Sequence, residues 1–102
     1  MSRSRLELQK YLEDLLGSRQ VYFQPPASIQ MKYPAIVYSR NNIDNLHAND
    51  NVYMQSHSYE LIVIDEDPDS EIVEKVSRLP ACRFDRHYTA DNLNHDVFTI
   101  YY

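Results

Sequence analysis

Gly17 is the only glycine in the 102 residues, and its scarcity removes whole classes of site. A loop that cradles phosphate through backbone N–H groups needs several glycines in a short span, and a Gly-x-Ser-x-Gly nucleophile elbow needs two. The single cysteine, Cys82, has no partner for an internal disulfide, so nothing calls for an oxidising compartment. No stretch approaches the ~20 apolar residues of a membrane-spanning helix. The opening Met1-Ser2-Arg3-Ser4-Arg5-Leu6-Glu7 lacks the apolar run of a secretory signal. The expectation is a soluble protein made in the cytosol. Basic residues are also sparse: ten against fifteen acidic, a formal net charge of −5 and a pI near 5.2. Apart from Arg3 and Arg5 they are scattered, whereas grip on DNA or anionic lipid draws on clustered Lys and Arg. Direct binding of nucleic acid or membrane is not expected.

What remains is an ordinary globular composition, 43% hydrophobic and 25% charged. A chain of this size makes one domain, with a radius of gyration of about 13 Å and room for one core but no deep enclosed cleft. Nine tyrosines accompany three phenylalanines and no tryptophan. Tyrosine joins a flat apolar body to a polar tip, which suits half-exposed strands and subunit contacts alike.

Hydrophobic periodicity predicts a helix over 3–16. Leu8, Leu12 and Leu15 form one stripe with Tyr11 and Leu16 beside it, Ser4 and Glu7 are spaced as a capping box, and Gly17 stands where a left-handed residue closes a helix. Arg19–Gln24 reads as a short strand stopped by Pro25-Pro26. A second strand runs from Ala35 to Ile43. Asp44–Asn51 is a polar break, and Val52–Asp65 is a long strand, polar first and then apolar through Leu61-Ile62-Val63-Ile64. A strand that changes character midway projects from the sheet, so residues 38–57 are expected to form an arm or hairpin. Asp67 reads as the cap of a second helix with Pro68 at its first position, and Ile72, Val76 and Leu79 as its buried stripe up to Pro80. Cys82–Tyr88 and Leu93–Tyr102 make a closing hairpin, the last strand rich enough in Val97, Phe98, Ile100, Tyr101 and Tyr102 to be tied into a sheet. The order α-β-β-β-α-β-β, with hairpins rather than repeated βαβ units, predicts an α+β fold: a mainly antiparallel sheet with two helices on one face.

Chemistry-bearing residues are present without a chemistry-bearing pattern. A hairpin turn centred on Asp91 would set His87 nearly opposite His95, with Asp85 and Asp96 nearby, but none of the short paired ligand spacings occurs. Cross-strand packing accounts for these residues equally well. Cys82, His87 and Asp85 could supply a nucleophile, a base and an orienting group. Positions 82 and 87 are an odd number apart, however, and a regular strand without a bulge points them to opposite faces. The carboxylates of Glu66, Asp67 and Asp69 are explained by helix capping. No catalytic residue, cofactor or metal is expected.

Several stretches together resemble small late proteins of long-tailed phages or prophages of Gram-positive bacteria. They are Tyr33-Pro34-Ala35-Ile36-Val37-Tyr38, then Tyr59–Asp65 followed by Asp67-Pro68-Asp69-Ser70, then Leu79-Pro80, and finally Phe84–Tyr88 with Asp91–Asp96. The likeness covers most of the chain from about residue 5, and the terminal hairpin is its most specific part. The element order is similar to that of tail-terminator and tail-completion proteins at the head–tail joint. The resemblance implies a structural virion protein, made in the bacterial cytoplasm, whose hexameric ring caps the tail tube, stops its polymerisation and presents the surface for head attachment. The implied partners are other copies of the chain, the major tail-tube protein and a head-completion or neck protein. DNA only passes through the lumen, and the acidic balance suits that passage because like charge repels the phosphate backbone.

A closed ring needs complementary lateral surfaces. The projecting segment is the candidate interface, at Asn45, His47, Asn49, Asp50, Val52, Tyr53 and Met54. Two alternatives stand beside the terminator: a head-closure adaptor of the same neck, and a small dimeric ligand-binding α+β module paired through an exposed sheet edge. An enzyme with an unannounced site is the third class.

Overall fold

The computed structural model describes residues 5–26, 28–48 and 51–101, with side chains described outside 42–57 of the central hairpin. Ser4, the expected cap of the first helix, lies outside the described residues. Among the described residues, two helices and five strands follow one another as α1 (Arg5–Leu16), β1 (Val21–Phe23), β2 (Ala35–Ala48), β3 (Asn51–Asp65), α2 (Glu71–Ser77), β4 (Cys82–Ala90) and β5 (Leu93–Tyr101). The strands form one sheet in the order β1-β2-β3-β5-β4. Three of its four pairings are antiparallel and only β1–β2 is parallel, so the expected α+β fold with a mainly antiparallel sheet holds.

Alternation along the strands builds the core. Ile36 and Tyr38 of β2 lie beside Val63 and Leu61 of β3, while Leu61 and Tyr59 lie beside Phe98 and Ile100 of β5. This face packs against Leu8 and Leu12 of α1, Ile72 and Val76 of α2, and Leu79 just beyond it. The helical stripe read from the sequence is the buried one, except that Tyr11 sits at its exposed margin. Tyr38 is the polar pin of this layer. Its buried hydroxyl donates to Gln9 Oε1 at 2.5 Å and accepts from the Arg5 guanidinium at 3.2 Å, while Gln9 Nε2 donates to the Val21 carbonyl at 2.9 Å. Helix α1 is thereby tied to β1 and β2 at once. Burial pushes the Tyr38 phenol above its ordinary pKa, the neighbouring Arg5 pulling the other way.

Gly17 has φ +80°, and its N–H donates to the Glu13 carbonyl at 2.9 Å, closing α1 as its position predicts. The start of α2 differs from expectation. Asp65 Oδ1 accepts from the Asp67 N–H and Asp67 Oδ1 from the Asp69 N–H, so the acidic run forms two successive local turns. Ser70 is the cap, its Oγ accepting from the Ile72 N–H at 3.2 Å, and the helix begins at Glu71 rather than Pro68. Asp side chains serve such turns as readily as caps, and the buried Ser70 hydroxyl sits where Ile72 must face the core.

The expected polar break at 44–51 is also corrected. β2 continues as strand to Ala48, paired with β3 down to Ala48 opposite Asn51, with register shifts between Arg40 and Asn42 and between Leu46 and His47. Cross-strand pairing overrides the local turn preference of Asn and Asp. At about 3.3 Å per residue, the 15 residues of β3 span about 50 Å, matching the 51 Å long axis. The other two axes are 25 and 23 Å, and the radius of gyration, 14.8 Å, exceeds the ~13 Å of a compact chain this long.

Candidate functional site: a projecting strand pair and a free sheet edge

Only the inner halves of β2 and β3 have outer neighbours. β1 accompanies β2 from Ile36 to Tyr38, and β5 accompanies β3 from Ser58 to Asp65. From Asn42 out to Ala48 and back from Asn51 to His57, the two strands are flanked by no third strand among the described residues. This projecting ribbon lies within the arm expected over 38–57, but residues 38–40 belong to the sheet body instead, where Tyr38 lies beside Phe23 and is buried. A two-stranded ribbon is marginal in water by itself, so its outer backbone groups are a surface for pairing as well as a solvated edge.

The candidate interface residues fall along this ribbon. Asn45 is opposite Gln55, His47 opposite Val52, and Met54 opposite Leu46. Tyr53 lies at the register shift between Leu46 and His47. Asn49 and Asp50 lie outside the described residues. The register thus gathers Asn45, His47, Val52, Tyr53 and Met54 into the outer half of one hairpin.

A second feature was not singled out from the sequence. Among the described residues β4 is an edge strand, paired with β5 alone, and every residue from Arg83 to Ala90 is exposed. Phe84 is 52% exposed even though its ring meets Phe98 edge-on at 5.5 Å. Arg83 and Arg86 lie on the face away from the helices, opposite Thr99 and Val97, and Arg86 pairs with Asp85 at 2.7 Å. The available signal was the lack of hydrophobic alternation in Arg83-Phe84-Asp85-Arg86-His87-Tyr88-Thr89, since charge along a strand marks an edge.

The hairpin joining β4 to β5 turns at Asp91-Asn92, with φ 53° and 63°, between the paired Ala90 and Leu93. Both central residues take the left-handed conformation of a two-residue hairpin turn, which Asp and Asn tolerate. The turn centre is therefore half a residue beyond Asp91. That corrects the histidine placement: His87 faces Asp96, with Nδ1 3.9 Å from Oδ1, and His95 stacks on Tyr88 at 4.7 Å. No three His, Cys, Asp or Glu side chains gather around a common point among the described residues.

A register shift between Phe84 and Arg86 makes Asp85 a bulge. It brings Cys82, opposite Ile100, and His87, opposite Asp96, onto the same face, reversing the parity expected of a regular strand. Four residues of β5 still separate them, about 13 Å at the strand rise, far beyond hydrogen-bond reach. Burial also pushes the Cys82 thiol above its ordinary pKa, away from a reactive thiolate. Cys82 and His87 do not form a nucleophile–base pair.

No helix of the described residues is long and apolar enough to cross a membrane. Compared with known proteins, the chain matches no family model, and no curated protein matches it.

Proposed function

We propose that this chain is an architectural subunit of a phage tail or neck, forming a hexameric ring that caps the tail tube, ends its growth and receives the head. The observation that carries the reading is the β2–β3 ribbon that leaves the sheet with both outer edges open. Such a ribbon gives the subunit reach beyond its own body, the property a ring component needs in order to hold a neighbour. Three further features support the proposal: the resemblance of the Tyr33–Tyr38, Tyr59–Ser70 and Phe84–Asp96 stretches to head–tail joining proteins, the α-β-β-β-α-β-β order, and the net charge of −5. The partners on this reading are other copies of the chain, the tail-tube protein and the neck protein above it. DNA moves through the lumen without being bound.

Electron microscopy of particles lacking the protein tests the role. Overlong, headless tubes are the expected product, whereas tails of normal length that fail to join heads would make the protein a head-closure adaptor. The free β4 edge favours one other reading, a two-fold dimer joined edge to edge around a small ligand. Two subunits per particle in sedimentation, with tails unaffected by loss of the gene, would establish that reading instead.

A further inference from the structure

Resting on the ring reading, we propose that neighbouring subunits are joined by main-chain strand pairing, the β2–β3 arm of one copy lying along the free β4 edge of the next and extending its sheet. One subunit carries both halves of such a joint. The arm offers open strand edges over 42–48 and 51–57, and β4 offers one over Cys82–Ala90. They sit on different parts of the molecule: the arm leaves the sheet beyond the Ser58–Tyr101 pair, while β4 lies at the far side of β5 with its turn at the opposite end. Two unlike, separated surfaces make a head-to-tail contact, which repeats from copy to copy and closes when its rotation divides the circle.

Length and charge agree with this occupant. Either strand of the arm, seven residues over 42–48 or 51–57, is long enough to cover Arg86–Ala90, the regular run of the nine-residue β4 edge beyond the Asp85 bulge. Residues 41–57 contain Asp44 and Asp50 and no lysine or arginine, whereas the β4 edge carries Arg83 and Arg86 against the single carboxylate of Asp85, which pairs with Arg86. An acidic ribbon on a basic edge is favourable. Two β4 edges meeting about a two-fold axis would instead bring together two strands of the same net positive sign, which together with the bulge discourages indiscriminate edge pairing.

The test uses the full chain and two variants in sedimentation and mass measurement over a range of concentrations. In the first variant an Asn-Gly turn replaces 42–57, joining Asn41 to Ser58 and keeping every residue of the buried cluster. The second carries Arg83→Glu with Arg86→Glu on the exposed edge. The unaltered chain is expected to form rings, and each variant alone to remain monomeric, with self-association weakened about a hundredfold by the charge reversal. Mixed in equal amounts, the variants should form a heterodimer and stop there, because one supplies only an edge and the other only an arm. Amide exchange of the unaltered chain gives a check independent of variant folding: Arg83–Ala90 amides not bonded to β5 should exchange at least about tenfold more slowly in rings than in monomers.

Rings formed by the arm-less chain, two-fold dimers, or unchanged β4 exchange on assembly would overturn the joint while leaving the ring reading to the tail-length experiment. A chain that stays monomeric up to its solubility limit also overturns the joint, since main-chain pairing between copies needs no third protein. Arm-less rings that fail to bind tail tubes would place the arm on the tube protein.

Discussion

Removing a single oxygen atom, in Tyr38→Phe, probes the pin that fixes α1 at the root of the arm. The lost hydroxyl donates to Gln9 Oε1 at 2.5 Å and accepts from Arg5 at 3.2 Å, inside a residue with no exposed surface. Each such bond contributes about 0.5–1.5 kcal/mol net, and an acceptor left without its donor adds to the cost. The Arg5 bond is half-buried and partly screened, so the expected loss at pH 7 is about 2 kcal/mol, or roughly 10 °C in Tm for a chain of this length. The difference between the two proteins should also depend on pH in a defined direction. Burial raises the Tyr38 phenol above its ordinary value of 10.0, so at higher pH the unfolded chain has released a proton that the folded chain retains. That contribution is complete below pH 10 and declines as pH rises towards the folded-state value, by at most about 1.4 kcal/mol per pH unit. Urea titrations of both proteins from pH 7 to 11 measure the effect. A difference below about 0.5 kcal/mol at pH 7, the size of an ordinary surface substitution, or one that does not shrink above pH 10, would refute the account of Tyr38 as a buried, doubly bonded phenol.

The remaining predictions concern the points where local chemistry decides the backbone and where Cys82 lies. Ser70→Ala should cost about 1 kcal/mol by removing the cap of α2, while Asp67→Ala should cost less than about 0.5 kcal/mol, as expected of a surface turn. The reverse order in denaturant melts would return the cap to Asp67. Gly17→Ala should cost roughly 1–2 kcal/mol through φ alone, because an added Cβ meets no atom within 4 Å. Replacement by Asn should recover part of that loss, and equal stability of the Ala and Gly proteins would rule out the left-handed closure. Alkylation of Cys82 at pH 8 should be slower than that of a free thiol, since burial holds it protonated above its ordinary value of 9.0. A rate equal to that of a small-molecule thiol would contradict its half-buried placement.

Much of the fold was legible because it rests on short-range periodicity. Leu8 and Leu12 at helical spacing, Ile36 and Tyr38 or Tyr59, Leu61 and Val63 at strand spacing, and Gly17 after the last helical turn each carry their own local signal. The errors share a cause. Asp67 and Ser70 are both competent caps, and only the depth at which Ile72 enters the core selects between them. Asn and Asp between 44 and 51 favour turns locally, yet a partner strand held β2 extended to Ala48. His87 and His95 missed each other by one register step because a two-residue turn at Asp91-Asn92 shifts every pair that follows. The projecting arm was legible from the change of character along β3, while the β4 edge left only the weaker signal of unalternating charge over 83–89, because a strand's neighbours are not written in the strand.

Apart from the outer part of β2 and the start of α2, the amino-acid order by itself determined which segments become helices and strands, since those preferences act over a few residues and are repeated at each turn or pleat. Only tertiary structure decided that β5 inserts between β3 and β4, that β1 joins in parallel, and that Asp85 bulges so as to return Cys82 and His87 to one face. Those outcomes depend on which strands compete for the same backbone hydrogen bonds, and that competition is settled when the apolar faces of the whole chain are buried together. The two open edges, on the arm and on β4, are what is left over from it.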